Sequence, residues 1–238
     1  MLQAENIKFR YKSGKFEVMD ISLNIEEGYI YCLLGENGCG KTTTMKLLYG
    51  MLTPDKGKVS WNGKTVTEDG RIKNKILAEY HREVAFTGTE WCAEGVSVKA
   101  NVDILSKLYP AFDMNYFETL IKKAGLSGEM DKKYSALSRG QKVKVEIAFN
   151  LAKKPKLLIL DEPLANLDPV YKVDILEILQ TAVAEDNLSI IISTHLLDEI
   201  TDMVDYIIFM KNGEITDFGD RENILADKGK TELRELFE

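Results

Sequence analysis

GENGCGKT, residues 35–42, is the stretch from which this chain is best read. A glycine, four variable positions and then Gly40, Lys41 and Thr42 make a phosphate-binding loop when a buried strand precedes them and a helix follows. Both flanks are present. YIYCLLG, residues 29–35, has the makings of a short buried strand, and KTTTMKLLYGML, residues 41–52, spaces Met45, Leu48, Met51 and Leu52 along a helical face. Glycines let the backbone wrap close enough for successive N–H groups to point at one anion, and the new helix adds its positive end. On this reading Gly35, Asn37, Gly38, Cys39, Gly40, Lys41, Thr42 and Thr43 meet the phosphates of a nucleotide, with Lys41 reaching the β and γ groups. The Thr42 hydroxyl is then a ligand for Mg²⁺, a hard ion held partly by the substrate's own phosphates.

Outward from the loop, the hydrophobic pattern sorts the chain into strands and helices. Ile7, Phe9 and Tyr11 alternate before KSGK, and Phe16 and Val18 follow it, which reads as a hairpin turning at Gly14. VSWNGKTV, residues 59–66, and YIIFMKNGEITDF, residues 206–218, each turn on an Asn-Gly pair, the dipeptide that tolerates the positive φ of a two-residue hairpin. DMNYFETLIKKAGLS, residues 113–127, offers Asp113 as N-cap, Phe117, Leu120, Ile121 and Ala124 on one face, and Gly125 as terminator. Residues from about 90 to 152 therefore read as mainly helical. Afterwards KLLILDEP, a helix capped by Asp168 with Pro169 first, and LSIIIST alternate strand with helix, as in a parallel sheet. The expected fold is α/β: a P-loop NTPase (RecA-like) core with a mostly parallel sheet, a small antiparallel β subdomain and a helical subdomain over about 90–152, all in one domain spanning 1–238.

Composition narrows the class. The chain has 238 residues, 45% apolar and 29% charged, ordinary values for a globular domain. Its longest apolar runs, such as 157–160 and 206–210, fall far short of the ~20 residues a membrane-spanning helix needs. MLQAENIKFRYK at the start has no uninterrupted apolar stretch, so we expect no export signal and a cytoplasmic location. Cys32, Cys39 and Cys92 are odd in number and lack metal-ligand spacing, which favours free thiols. A net charge of -7 does not suit a binder of nucleic-acid backbone, and no direct nucleic-acid partner is expected.

Two carboxylates, Asp161 and Glu162, end the apolar run LLILDEP, where ligands meet the sheet in open α/β folds. Asp161 can hold the Mg²⁺ shell, and Glu162 can accept a proton from the water that attacks the γ-phosphate. Standing alone, the segment reads better as a helix-capping acid after a core strand. His195 lies just past a second apolar strand, within reach of a phosphate or as a structural residue, while His81, in a polar stretch, reads as surface.

GENGCGKT, LSRGQ at 137–141, LLILDEP, ANLD at 165–168 and STH at 193–195, in this order, resemble the nucleotide-binding subunit of an ATP-binding-cassette (ABC) transporter. The resemblance runs from the Tyr11 hairpin to about residue 220 and implies ATP and Mg²⁺ as ligands. It implies Glu162 and His195 as catalytic residues and Tyr11 as the aromatic that stacks on adenine, though Tyr11 in isolation is equally a hairpin surface residue. It also implies a head-to-tail pair in which Ser138, Gly140 and Gln141 of one subunit close over ATP held by the other, and in which Asp168 touches the opposite subunit. The implied partners are a second nucleotide-binding subunit and an integral-membrane permease that keeps the chain at the inner face of the cell membrane.

One element departs from the family. Most members carry a glutamine after the strand that enters the helical block, and EVAFTGTEWCAEG, residues 83–95, has none. Thr89 or Glu90 stands at about that place and could offer oxygen to Mg²⁺, and Trp91 suits contact with a partner. LYPAFD, residues 108–113, is similar to bacterial exporters of the bacitracin-resistance type, which implies export. The rival readings are an ABC ATPase that remodels nucleic acid, ribosomes or a protein assembly, and a regulatory binder that holds nucleotide without turnover.

Overall fold

The computed structural model describes residues 1–14, 17–88, 92–194, 200–230 and 235. Two sheets carry the fold. The strands β3 (Ile30–Leu34), β7 (Val84–Thr87), β8 (Leu157–Asp161), β9 (Ser189–Ser193), β10 (Tyr206–Lys211) and β11 (Glu214–Asp220) form a six-stranded sheet in the order β11-β10-β3-β9-β8-β7. Every pairing in it is parallel except the β10–β11 hairpin. A second sheet is antiparallel, ordered β2-β1-β4-β5-β6, from β1 (Leu2–Arg10), β2 (Glu17–Ile25), β4 (Lys56–Trp61), β5 (Lys64–Glu68) and β6 (Arg71–Ile72).

The apolar runs of the parallel strands are explained by burial on both faces. Ile190 and Ile192 point into one core with Cys32, Leu158 and Leu160, while Ile191 joins Leu33, Leu157 and Ile159 in the other. The first core is closed by the helices α3 (Val98–Leu105), α4 (Met114–Lys123), α5 (Arg139–Ala152) and α6 (Pro169–Asp186). The second is shared with the antiparallel sheet, α1 (Lys41–Tyr49) and Tyr80 of α2 (Asn74–Glu83). Alternate side chains of one strand thus anchor two different layers. A short helix, α7 (Arg221–Asp227), follows β11.

Local chemistry sets the boundaries. Asn62-Gly63 and Asn212-Gly213 turn at positive φ throughout, 48° and 76° in the first and 49° and 85° in the second. Asp113 caps α4 by accepting from the Tyr116 N–H at 2.9 Å, and Gly125 follows its end at φ 71°. The helix expected through Leu52 stops at Tyr49, because Gly50 at φ 82° caps it, and Met51 is exposed. His81 is not a surface residue: its ring stacks on Tyr49 with centroids 4.3 Å apart, its Nε2 meets Tyr49 O at 2.9 Å, and burial lowers its pKa. Among the described residues no helix is long and apolar enough to cross a membrane.

Candidate functional site

The loop between β3 and α1 has its tip, residues 36–38, in solvent and both ends anchored. Gly35 at φ 154° lies against the carbonyl of Met210 in β10 and the Cys39 thiol, so a side chain there would collide with both. Gly213 donates its N–H to Cys39 O at 2.9 Å, which ties the β10–β11 turn to the back of the loop. Cys39 itself is buried, burial raises its thiol pKa, and its N–H donates to Glu36 O at 3.2 Å. Its side chain therefore serves packing. Gly40 at φ 113° precedes α1 with no side-chain cap, which leaves the first N–H groups of the helix free for an anion.

Lys41 is 5% exposed, and its ammonium donates to Gly35 O at 2.7 Å and Glu36 O at 3.2 Å. Among the described residues the nearest carboxylate oxygen, Glu162 Oε1, stands 4.0 Å away. A desolvated ammonium satisfied mainly by carbonyls holds a positive charge that an incoming phosphate can take up. Asn37, Gly38, Lys41, Thr42, Asp161 and Glu162 line one cavity of about 330 Å³. Gly35 and Cys39 line a neighbouring cavity of about 290 Å³, on the β10 side of the loop.

Parallel pairing of β8 with β9 puts Asp161 opposite Ser193. The buried Ser193 hydroxyl donates to Asp161 Oδ1 at 2.8 Å and accepts from the Glu162 N–H at 2.9 Å. One hydroxyl thus holds the Asp161 carboxylate and the Glu162 backbone. Glu162 holds φ at 45°, a left-handed conformation unusual for a residue with a side chain. Sequence reasoning passed over Ser193 on the way to His195. The available signal was a small polar residue at the end of an isoleucine run, whose hydroxyl needed a partner once buried.

Tyr11 stands beside the loop helix, its hydroxyl 3.2 Å from Thr43 Oγ1 and its ring edge-on to Phe9. Ser138 caps α5 in a reciprocal arrangement: its Oγ accepts from the Gln141 N–H at 3.2 Å, and Gln141 Oε1 accepts from the Ser138 N–H at 2.9 Å. The Ser138 hydroxyl proton remains available to a further acceptor. Gln141 is thereby occupied in shaping the loop. No residue of 137–141 lines the cavity at Lys41. Asp168 takes the N-cap position of α6 but makes no side-chain cap bond, and its exposed carboxylate faces solvent. Thr89, Glu90, Trp91 and His195 lie outside the described residues.

A family model for the ABC transporter matches residues 18–165. The chain belongs to the ABC transporter family. Its cassette is 30% identical over 220 residues to the ABC transporter ATP-binding protein YtrB of Bacillus subtilis, covering 92% of this chain and 72% of that protein. It is 31% identical over 242 residues to the carnitine transport ATP-binding protein OpuCA of Listeria monocytogenes, covering 100% of this chain; the chain spans 59% of that relative's length. A dimeric ATP-binding cassette in a post-hydrolysis state bound to ADP and Pi shares the fold, with TM-score 0.80 at 23% identity over 92% of this chain and 98% of that one. The α/β fold of a P-loop NTPase is thus shown, and the cassette is an ATPase by family. These matches give no support to the export direction that LYPAFD suggested.

Proposed function

We propose that this cassette, a single unit over residues 1–238 with a helical subdomain at about 90–152, binds ATP and hydrolyses it in a head-to-tail pair of copies. A separate permease in the membrane holds the pair at the inner face and uses the cycle to move a solute. One observation carries the reading. The cavity at Lys41 gathers the phosphate loop and both strand-end carboxylates but no residue of the signature loop, while Ser138 is exposed, preformed and has a proton to give. A second molecule completes such a site.

Within the pair, the free N–H groups of the loop and α1 together with Lys41 take the β and γ phosphates, and Tyr11 covers the adenine beside Thr43. Asp161 is held by Ser193, Glu162 is fixed through its backbone by the same hydroxyl, and Glu162 accepts a proton from the attacking water. Ser138 and the α5 N-terminus of the other copy meet the γ-phosphate from the opposite side. Two donors, Thr42 and Asp161, suit Mg²⁺, which would draw its remaining oxygens from phosphates and water and would neutralise charge as the γ-phosphate leaves. His195 keeps the catalytic role the resemblance implies, and Thr89 or Glu90 offers an oxygen to the metal where the family has its glutamine.

ADP lacks the group that both copies grip, so hydrolysis opens the pair, since a ligand shifts an equilibrium only by its differential affinity. Glu162→Gln keeps size and polarity but removes the base. Turnover should fall by ~10²–10⁴-fold while ATP binding, measured by equilibrium dialysis, is retained. Normal hydrolysis by that variant would remove Glu162 from the reaction.

A further inference from the structure

We propose that Lys144 is a positioning residue that locks the signature loop at 137–141 to the Asp168 loop, so that the two surfaces a second copy must meet move as one body. The proposal rests on the head-to-tail pairing described above. Lys144 lies inside α5, downstream of the Ser138 cap, and is 3% exposed. Its ammonium is ion-paired with Asp174 of α6 and donates to Ala124 O, at the C-terminal end of α4, at 3.3 Å. It also sits over the Tyr171 ring, 4.5 Å from the centroid.

Tyr171 connects this cation to the signature loop. A Cβ at Gly140 would fall 2.9 Å from one carbon of the Tyr171 ring, closer than real side chains come, and 3.0 and 3.1 Å from two more. A side chain at 140 would therefore have to push the Tyr171 ring aside. One face of Tyr171 thus seats the start of α5, and Lys144 presses on the same ring. The cation joins the end of α4 to the opening stretches of α5 and α6. Ser138 caps α5 and Asp168 occupies the cap position of α6, so the cluster fixes the spacing between two residues that both face outward.

A buried ammonium that loses one partner keeps the cost of desolvation without its compensation, so the cluster holds or fails as a unit. A merely structural ion pair would act on everything the fold does. A positioning role is selective: the phosphate loop runs into α1, which packs in the other core, and the contacts of the cation, Asp174, Ala124 and Tyr171, lie elsewhere.

The test places Lys144→Met, Lys144→Arg and Asp174→Asn separately in the Glu162→Gln protein. Monomer affinity is read with a fluorescent ATP analogue, and pairing by sedimentation with Mg-ATP. Lys144→Met and Asp174→Asn should leave nucleotide affinity within about twofold yet weaken pairing about tenfold, and Lys144→Arg should restore most of it. If Lys144→Met does not fold, Asp174→Asn, whose side chain is 37% exposed, decides. Unchanged pairing in variants whose parent pairs would overturn the coupling alone, as would a parallel loss of affinity and pairing. A parent that stays monomeric with ATP would overturn the pairing reading and the coupling with it.

Discussion

The Ser193 hydroxyl donates to Asp161 Oδ1 at 2.8 Å, across the parallel pairing of two strands. Because the same oxygen accepts from the Glu162 N–H, the carboxylate proposed for the metal and the backbone of the residue proposed for the water are held by one group on a neighbouring strand. Ser193→Ala removes both bonds at little change in volume. We expect kcat to fall roughly ten- to a hundredfold, the value of a hydrogen bond to a charged group, with less change in ATP affinity. Steady-state kinetics with dialysis would check this; an equal loss in affinity and kcat would place Ser193 in binding.

Glu162 illustrates strain kept for geometry. With φ at 45°, a β-carbon at this position is disfavoured whatever its charge. Glu162→Gly and Glu162→Ala both abolish the base, yet they differ in backbone freedom. The glycine variant should be more stable than the alanine variant by ~1 kcal/mol, the reverse of the usual order, as read by urea unfolding. The ordinary order would mean that this backbone is relaxed.

Lys153, at the end of α5, gives a pH dependence. Its ammonium lies 4.3 Å from the Tyr109 ring centroid and 5.0 Å from that of Phe149, with Asn150 Oδ1 accepting at 2.7 Å, and burial pushes its pKa down to about 8. The unfolded chain, with an ordinary lysine, holds that proton up to about pH 10.5. Between these values the unfolded state binds more protons, so this group's contribution to stability rises with pH across the window; below pH 8 its full cost is present. Lys153→Met should erase the rise, an effect of up to ~3 kcal/mol. Urea unfolding of both proteins at pH 7.5 and pH 10 is the measurement, and identical pH profiles would contradict it.

Much of this was legible from residues alone, for physical reasons. Asn212-Gly213 fixes a hairpin wherever it stands, and Gly35, Gly40, Lys41 and Thr42 carry their geometry in local backbone. Tyr80 of α2 is hard to read from sequence, because the apolar face it shares with Ile76 and Leu77 is short and set in a strongly polar stretch, and Tyr80 alone of that helix is fully buried. Ser193 and Lys144 escaped for a different cause. What they do depends on partners brought near by strand pairing or by helix packing, and neither Ser193–Asp161 nor Lys144–Asp174 has any trace in local spacing. Cys39 was counted with the phosphate contacts, and only the fold shows its thiol turned toward Gly35.

The most direct measurement mixes two defective proteins. Lys41→Ala lacks the buried ammonium of the phosphate loop, and Ser138→Arg blocks the exposed cap of α5; each alone should be inactive. In a mixed pair, one site joins the intact loop of the Ser138 variant to the intact signature of the Lys41 variant. Equal mixing should recover ATPase activity up to about a quarter of the unaltered protein's, as half the pairs are mixed and each has one whole site. No recovery at any ratio, with mixed pairs demonstrably formed, would contradict a nucleotide gripped by two molecules at once.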